Sequence, residues 1–174
     1  MNNTLTPWKI IQKELLRAQD VETIILKSHL LIETQINAAL EAGLGSGIDA
    51  LRLSFAQKLE LLVCIWPTLK DKSILGARSL YDDWKGMNEI RNKIAHRLSP
   101  PHLRTLLIDW VTKTLGYKLR TINRTSVLKR NIVKAVVCEV GCFSGEIDAR
   151  KKWLQQVATE GRGKIPLRPL ESSR

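Results

Sequence analysis

The chain has 174 residues, 44% of them hydrophobic and 5% aromatic, enough to fill one core with at most an appended piece. Three cysteines without framework spacing exclude a disulfide-built scaffold, and no apolar run approaches the roughly 20 residues a membrane-spanning helix needs. The net charge of +11 is uneven: residues 1–110 carry 14 Lys and Arg against 12 Asp and Glu, whereas residues 111–174 carry 14 against 5. That excess at the C-terminal end suits a polyanion such as nucleic acid better than a membrane surface, the bland alternative being a solvated basic face.

Helical periodicity runs through the chain and strand-type alternation does not, which predicts an all-α protein. Thr6-Pro7-Trp8 opens a first helix to about Arg17, with Thr6 as the cap. Asp20 caps a second helix from Val21 to about Ala42, whose Ile24, Ile25, Leu31, Ile32, Ile36 and Leu40 form an apolar stripe. Gly43 to Gly47 breaks it. Ser54 caps a third helix carrying Phe55, Leu59, Leu62, Val63 and Trp66, which Pro67 closes. After a short stretch from Asp71, a fourth helix spans Tyr81 to Arg97 and stops at Ser99-Pro100-Pro101. A fifth runs from Pro101 to Leu115.

Beyond Gly116 the texture becomes basic, and two further helical patterns follow, around Val127–Val140 and Glu146–Thr159, before a loose tail from Gly161. The expected architecture is an up-and-down bundle of four or five helices over residues 1–116, followed by a basic helical extension over 117–174. Cys138 and Cys142 share a helix face, lack further Cys or His nearby, and read as small core-facing residues; neither metal nor cofactor is expected. The first apolar run is interrupted by Lys13, Glu14 and Arg17, so no leader is expected and the chain reads as cytoplasmic, with no membrane partner.

The segment Arg91-Asn92-Lys93-Ile94-Ala95-His96 at the end of the fourth helix holds the residue types of phosphodiester chemistry. An arginine presents a charged fork to phosphate oxygens, and a histidine takes or gives a proton near neutral pH. Asn92 and His96 lie on one helix face, while Arg91 is turned about 140° from His96. A bend of the helix end at Ser99-Pro100, or two such helices across a two-fold axis, would bring the groups together, and the second makes a homodimer the natural setting. Against this stands a helix-end His that caps carbonyls and an Arg in a surface pair.

The segment Glu89 to His96 resembles the Arg-x4–6-His motif of HEPN domains (higher eukaryotes and prokaryotes nucleotide-binding). Ser28-His29-Leu30-Leu31-Ile32-Glu33 and Leu53-Ser54-Phe55-Ala56-Gln57-Lys58-Leu59 are similar to a prokaryotic branch that includes mannitol-repressor-like proteins, and the likeness covers about residues 20–115. The resemblance implies a dimeric helical bundle and, in active members, a metal-independent endoribonuclease that leaves a cyclic phosphate and a 5′-hydroxyl. It implies Arg91 as phosphate holder, His96 as acid or base, and Asn92 as a substrate-positioning residue. Active members often serve as toxins with antitoxin partners or in antiphage defence, while others are non-catalytic regulators. Leu98 stands where one toxin branch has a tyrosine that a partner enzyme modifies, which argues against that control here.

His29 and Glu33, four apart on the second helix, are candidates to support the site, with Glu33 orienting Arg91; a surface pair is the alternative. Lys93 and Arg97 add charge beside the motif, and Arg120, Arg124, Lys129 and Arg130 form the densest basic cluster, candidates for RNA-backbone contact or a solvated linker. The five tryptophans, Trp8, Trp66, Trp84, Trp110 and Trp153, are spread one per helix, as in core or dimer-seam packing. Three functions compete: a dimeric HEPN ribonuclease, a non-catalytic HEPN module binding a partner protein or nucleic acid, and a nucleotide or small-ligand sensor.

Overall fold

The computed structural model describes residues 7–45, 52–72, 79–96, 102–116 and 124–160. Among these residues there are six α-helices and no strand: α1 (Pro7–Leu16), α2 (Val21–Leu44), α3 (Phe55–Ile65), α4 (Leu80–His96), α5 (Leu103–Leu115) and α6 (Thr125–Glu160). A short 3-10 turn, Pro67–Lys70, follows α3. The expected Thr6 cap, the Ser46-Gly47 part of the first break, the Ser99-Pro100-Pro101 stop and the 161–174 tail lie outside the described residues.

The helix starts follow from local side-chain chemistry. The Asp20 carboxylate accepts from the Thr23 backbone N–H at 2.6 Å and from the Thr23 hydroxyl at 2.9 Å. These bonds hold the Asp20 pKa below the ordinary aspartate value. Ser54 and Gln57 form a reciprocal capping box that opens α3. Gly43 does not break α2, which continues to Leu44 and ends at Gly45 with φ of 83°.

α2 is the central helix, packed against α3, α4, α6 and α1. Ile24, Ile25, Ile32, Ile36, Ala39 and Leu40 on it are fully buried. α4 turns Leu80, Trp84, Met87 and Ile90 inward and meets α5 closely at Gly86. A Cβ at Gly86 would stand 3.2 Å from Trp110 Cδ1, so the missing side chain lets the Trp110 ring lie against α4. There its Nε1 donates to the Asp83 carbonyl at 2.9 Å. Trp66, Trp84 and Trp110 are all buried, in agreement with their core reading; the side chains of Trp8 and Trp153 lie outside the described set.

Three sequence expectations change at the C-terminal end. The two patterns near Val127–Val140 and Glu146–Thr159 are one helix of 36 residues. Gly141 and Gly145 suggest a break, at about 1 kcal/mol each relative to alanine in a helix interior, but Val140, Phe143 and Ile147 are buried on the same stretch. Burying one such large side chain is worth about 1.5–3 kcal/mol, enough to carry the helix through. Phe143 meets Trp84 edge-on at 4.9 Å and Trp66 at 6.3 Å between ring centroids. The first half of α6 therefore belongs to the bundle core instead of standing outside it. Cys138 and Cys142 are exposed, because the inward stripe is Val136, Val140, Phe143 and Ile147.

Candidate functional site

The motif helix divides into two halves. Through Ile90, α4 is anchored: Asp83, Trp84, Met87 and Ile90 are buried and Trp110 braces the backbone. From Arg91 onward it emerges, with Arg91 and Asn92 half-buried and Lys93, Ala95 and His96 exposed. The Arg91 guanidinium donates to Asn92 Oδ1 at 3.0 Å. Because Asn92 precedes His96 by one helical turn, this bond draws the Arg91 head group towards the His96 face, against the divergence of about 140° that ideal helix geometry gives their Cβ positions. Among the described residues no hydrogen bond joins Arg91 to His96.

Beneath the motif lies a buried polar cluster built from three helices. His29 of α2 is 4% exposed, and its Nε2 pairs with Asn88 Oδ1 of α4 at 3.0 Å. An amide oxygen only accepts, so Nε2 carries the proton, and in the neutral ring Nδ1 holds the lone pair. The His29 ring stacks at a tilt on Phe55, the first residue of α3, with centroids 4.4 Å apart. One turn along α3, the Lys58 ammonium is 2.6 Å from Glu33 Oε1, with the Lys58 side chain 3% exposed and that of Glu33 27% exposed.

Burial lowers the His29 pKa, the Asn88 bond opposes this, the positive charge of Arg91 lowers it further, and Glu33 and Lys58 act in opposite directions with smaller effect. His29 is therefore a neutral structural donor at physiological pH, whereas His96, the histidine of the motif, is exposed to solvent.

Both supporting residues, His29 and Glu33, thus lie in a cluster with the motif helix, but Glu33 does not act as expected. Its bonded partner is Lys58 instead of Arg91. Asn88 and the role of Lys58 escape a reading of single helices, since both contacts bridge segments 25 or more residues apart. The one local signal is that Asn88 precedes Asn92 by four and so shares its side of α4.

The basic candidates separate. Lys93, Arg124 and Arg130 are exposed, and Arg97 and Arg120 lie outside the described residues. Lys129 is half-buried: its ammonium donates to the Ala18 carbonyl at 3.3 Å and to that of Gln19, which ties α6 to the link between α1 and α2. Among the described residues no group of three or more His, Cys, Asp or Glu side chains is placed to hold a metal ion, and no helix is long and apolar enough to cross a membrane. Comparison with protein-family models, with curated proteins and with solved structures found no match to this chain.

Proposed function

We propose that this protein is a metal-independent endoribonuclease of the HEPN type, active as a homodimer in which two α4 helices face each other. The observation that carries the reading is the Arg91–Asn92 bond, which turns the guanidinium towards the face where the exposed His96 stands. In this chemistry one His96 accepts the proton of an RNA 2′-hydroxyl, whose oxygen attacks the adjacent phosphorus. The P–O5′ bond breaks, His96 of the second copy protonates the leaving 5′-oxygen, and a 2′,3′-cyclic phosphate remains. Arg91 neutralises the charge that gathers on the non-bridging oxygens. Asn92 holds that guanidinium, the His29–Asn88 contact fixes the rotation of α4 on α2, and Glu33–Lys58 ties α3 to α2.

A role as a toxin or antiphage component, with an antitoxin or regulatory partner, belongs to the same proposal. It rests on the motif resemblance and on the basic C-terminal third. The test is cleavage of a labelled RNA in excess chelator, with analysis of product ends. Wild-type protein should give cyclic-phosphate ends, and His96→Ala should cut about 10²–10⁴-fold more slowly, the usual span for a general acid–base group. Equal rates for the two proteins would remove the site. A stable wild-type dimer that never cuts would support the second reading, a non-catalytic HEPN module that binds a partner protein or nucleic acid.

A further inference from the structure

We propose that Asn88 holds the phosphate next to the scissile one, so that the RNA strand runs along α4 from His96 past Asn92 to Asn88. The proposal rests on the reading of Arg91 and His96 as the reacting pair and adds a substrate contact outside the motif. Asn88, Asn92 and His96 follow one another at four-residue steps, each rising about 6 Å and turning about 40°. They form a stripe about 12 Å long, more than a single phosphate group occupies. Asn88 and Asn92 are half-buried and His96 is exposed.

The partners of the two amides decide what the stripe offers. The Arg91 guanidinium only donates, so the atom it meets at 3.0 Å is the Asn92 oxygen. The Asn88 oxygen is taken by His29 Nε2, also at 3.0 Å. Neither NH2 group has a hydrogen-bond partner among the described residues, and neither is sealed from solvent. The stripe therefore presents two unused donor groups beside a guanidinium, with both amide oxygens already engaged. Such a surface takes an acceptor. An asparagine that reads adenine uses its oxygen and its NH2 group together, on N6 and N7. The bond to His29 closes that mode for Asn88. What remains is a contact to phosphate oxygens, which asparagine makes without reading sequence. Glu89, the one acid between Asn88 and His96, is turned about 100° from Asn88 and does not face a phosphate held there.

The test uses a DNA strand holding a single ribonucleotide, so that only one phosphodiester has the 2′-hydroxyl that attacks it. Methylphosphonate, which exchanges a charged oxygen for a methyl group, is placed in turn at the phosphates flanking the cut. One flanking position should slow wild-type cleavage about 10- to 100-fold, the span expected for a hydrogen bond to a charged group. Asn88→Asp keeps an oxygen for His29 at unchanged size and loses the donor. It should cut the unmodified strand more slowly by a similar factor, and methylphosphonate at that position should cost it nothing further. Should Asn88→Asp fail to fold, the wild-type pattern decides: a penalty at one flank supports the contact, and none removes it. Equal wild-type rates at every flanking position, or the same penalty in the variant as in the wild type, would overturn the proposal and leave the Arg91–His96 reading in place. A wild-type protein that cuts no ribonucleotide-containing strand would remove that reading and this contact with it.

Discussion

Two regions of this molecule carry polar chemistry in opposite ways. Between α2, α3 and α4 three pairs of largely buried polar side chains are matched: His29 with Asn88, Glu33 with Lys58, and Arg91 with Asn92 at the rim. Along α1 and the start of α6 the charges are exposed and mostly of one sign. The first arrangement fixes geometry, because a buried charge or donor without its partner costs several kcal/mol and admits few alternatives. The second fixes little geometry and sets up a field, which is screened by salt and tolerant of rearrangement. The two regions should therefore respond to mutation through different observables, and that contrast can be broken experimentally.

The largest stability effect is expected at Lys58. Lys58→Ala leaves Glu33 without its partner and opens space under Phe55, and should cost about 2–3 kcal/mol in urea unfolding. That is somewhat less than the roughly 3–5 kcal/mol of a fully buried pair, since Glu33 is partly exposed. Replacing both, as Glu33→Leu with Lys58→Met, should recover most of the loss, because apolar side chains of similar volume substitute well for a buried pair. A Lys58→Ala protein as stable as wild type would mean that the cluster does not hold the helices in place. By contrast, Lys13→Glu and Arg130→Glu, at exposed positions, should each stay within about 0.5 kcal/mol of wild type.

A smaller and distinct signature is expected from His29. Its pKa in the folded state lies below the ordinary value of about 6.5. The unfolded chain therefore takes up this proton first as the pH falls. Stability should be level above pH 6.5 and decline below it, until the folded-state pKa is reached. His29→Gln keeps a donor towards Asn88 and removes the titration, so its stability should fall less steeply between pH 6.5 and 5. Parallel profiles for the two proteins would show that His29 is not held neutral by burial.

Much of the fold was legible wherever its cause is local. Asp20 and Ser54 announce helix starts because a short acceptor side chain can close on the backbone N–H two or three residues on, and both do so. The two patterns near Val127–Val140 and Glu146–Thr159 are one helix, because the stretch between them, although it holds Gly141 and Gly145, also carries Phe143, whose burial draws the helix through. Cys138 and Cys142 were placed inward from their type alone, whereas the phase set by Val136, Val140 and Phe143 turns them out. The Arg91, Asn92 and His96 motif could be named from spacing. The partners beneath it could not, because Lys58 and Asn88 reach their contacts only after three helices have packed.

The central claim is that the Arg91–His96 site is completed only where two copies of α4 meet. The most direct measurement is the rate of RNA cleavage per chain as a function of protein concentration, read beside the dimer fraction from sedimentation on the same samples. The rate per chain should rise with the dimer fraction and level off when dimerisation is complete. A rate per chain that stays constant while the protein is monomeric would contradict the claim.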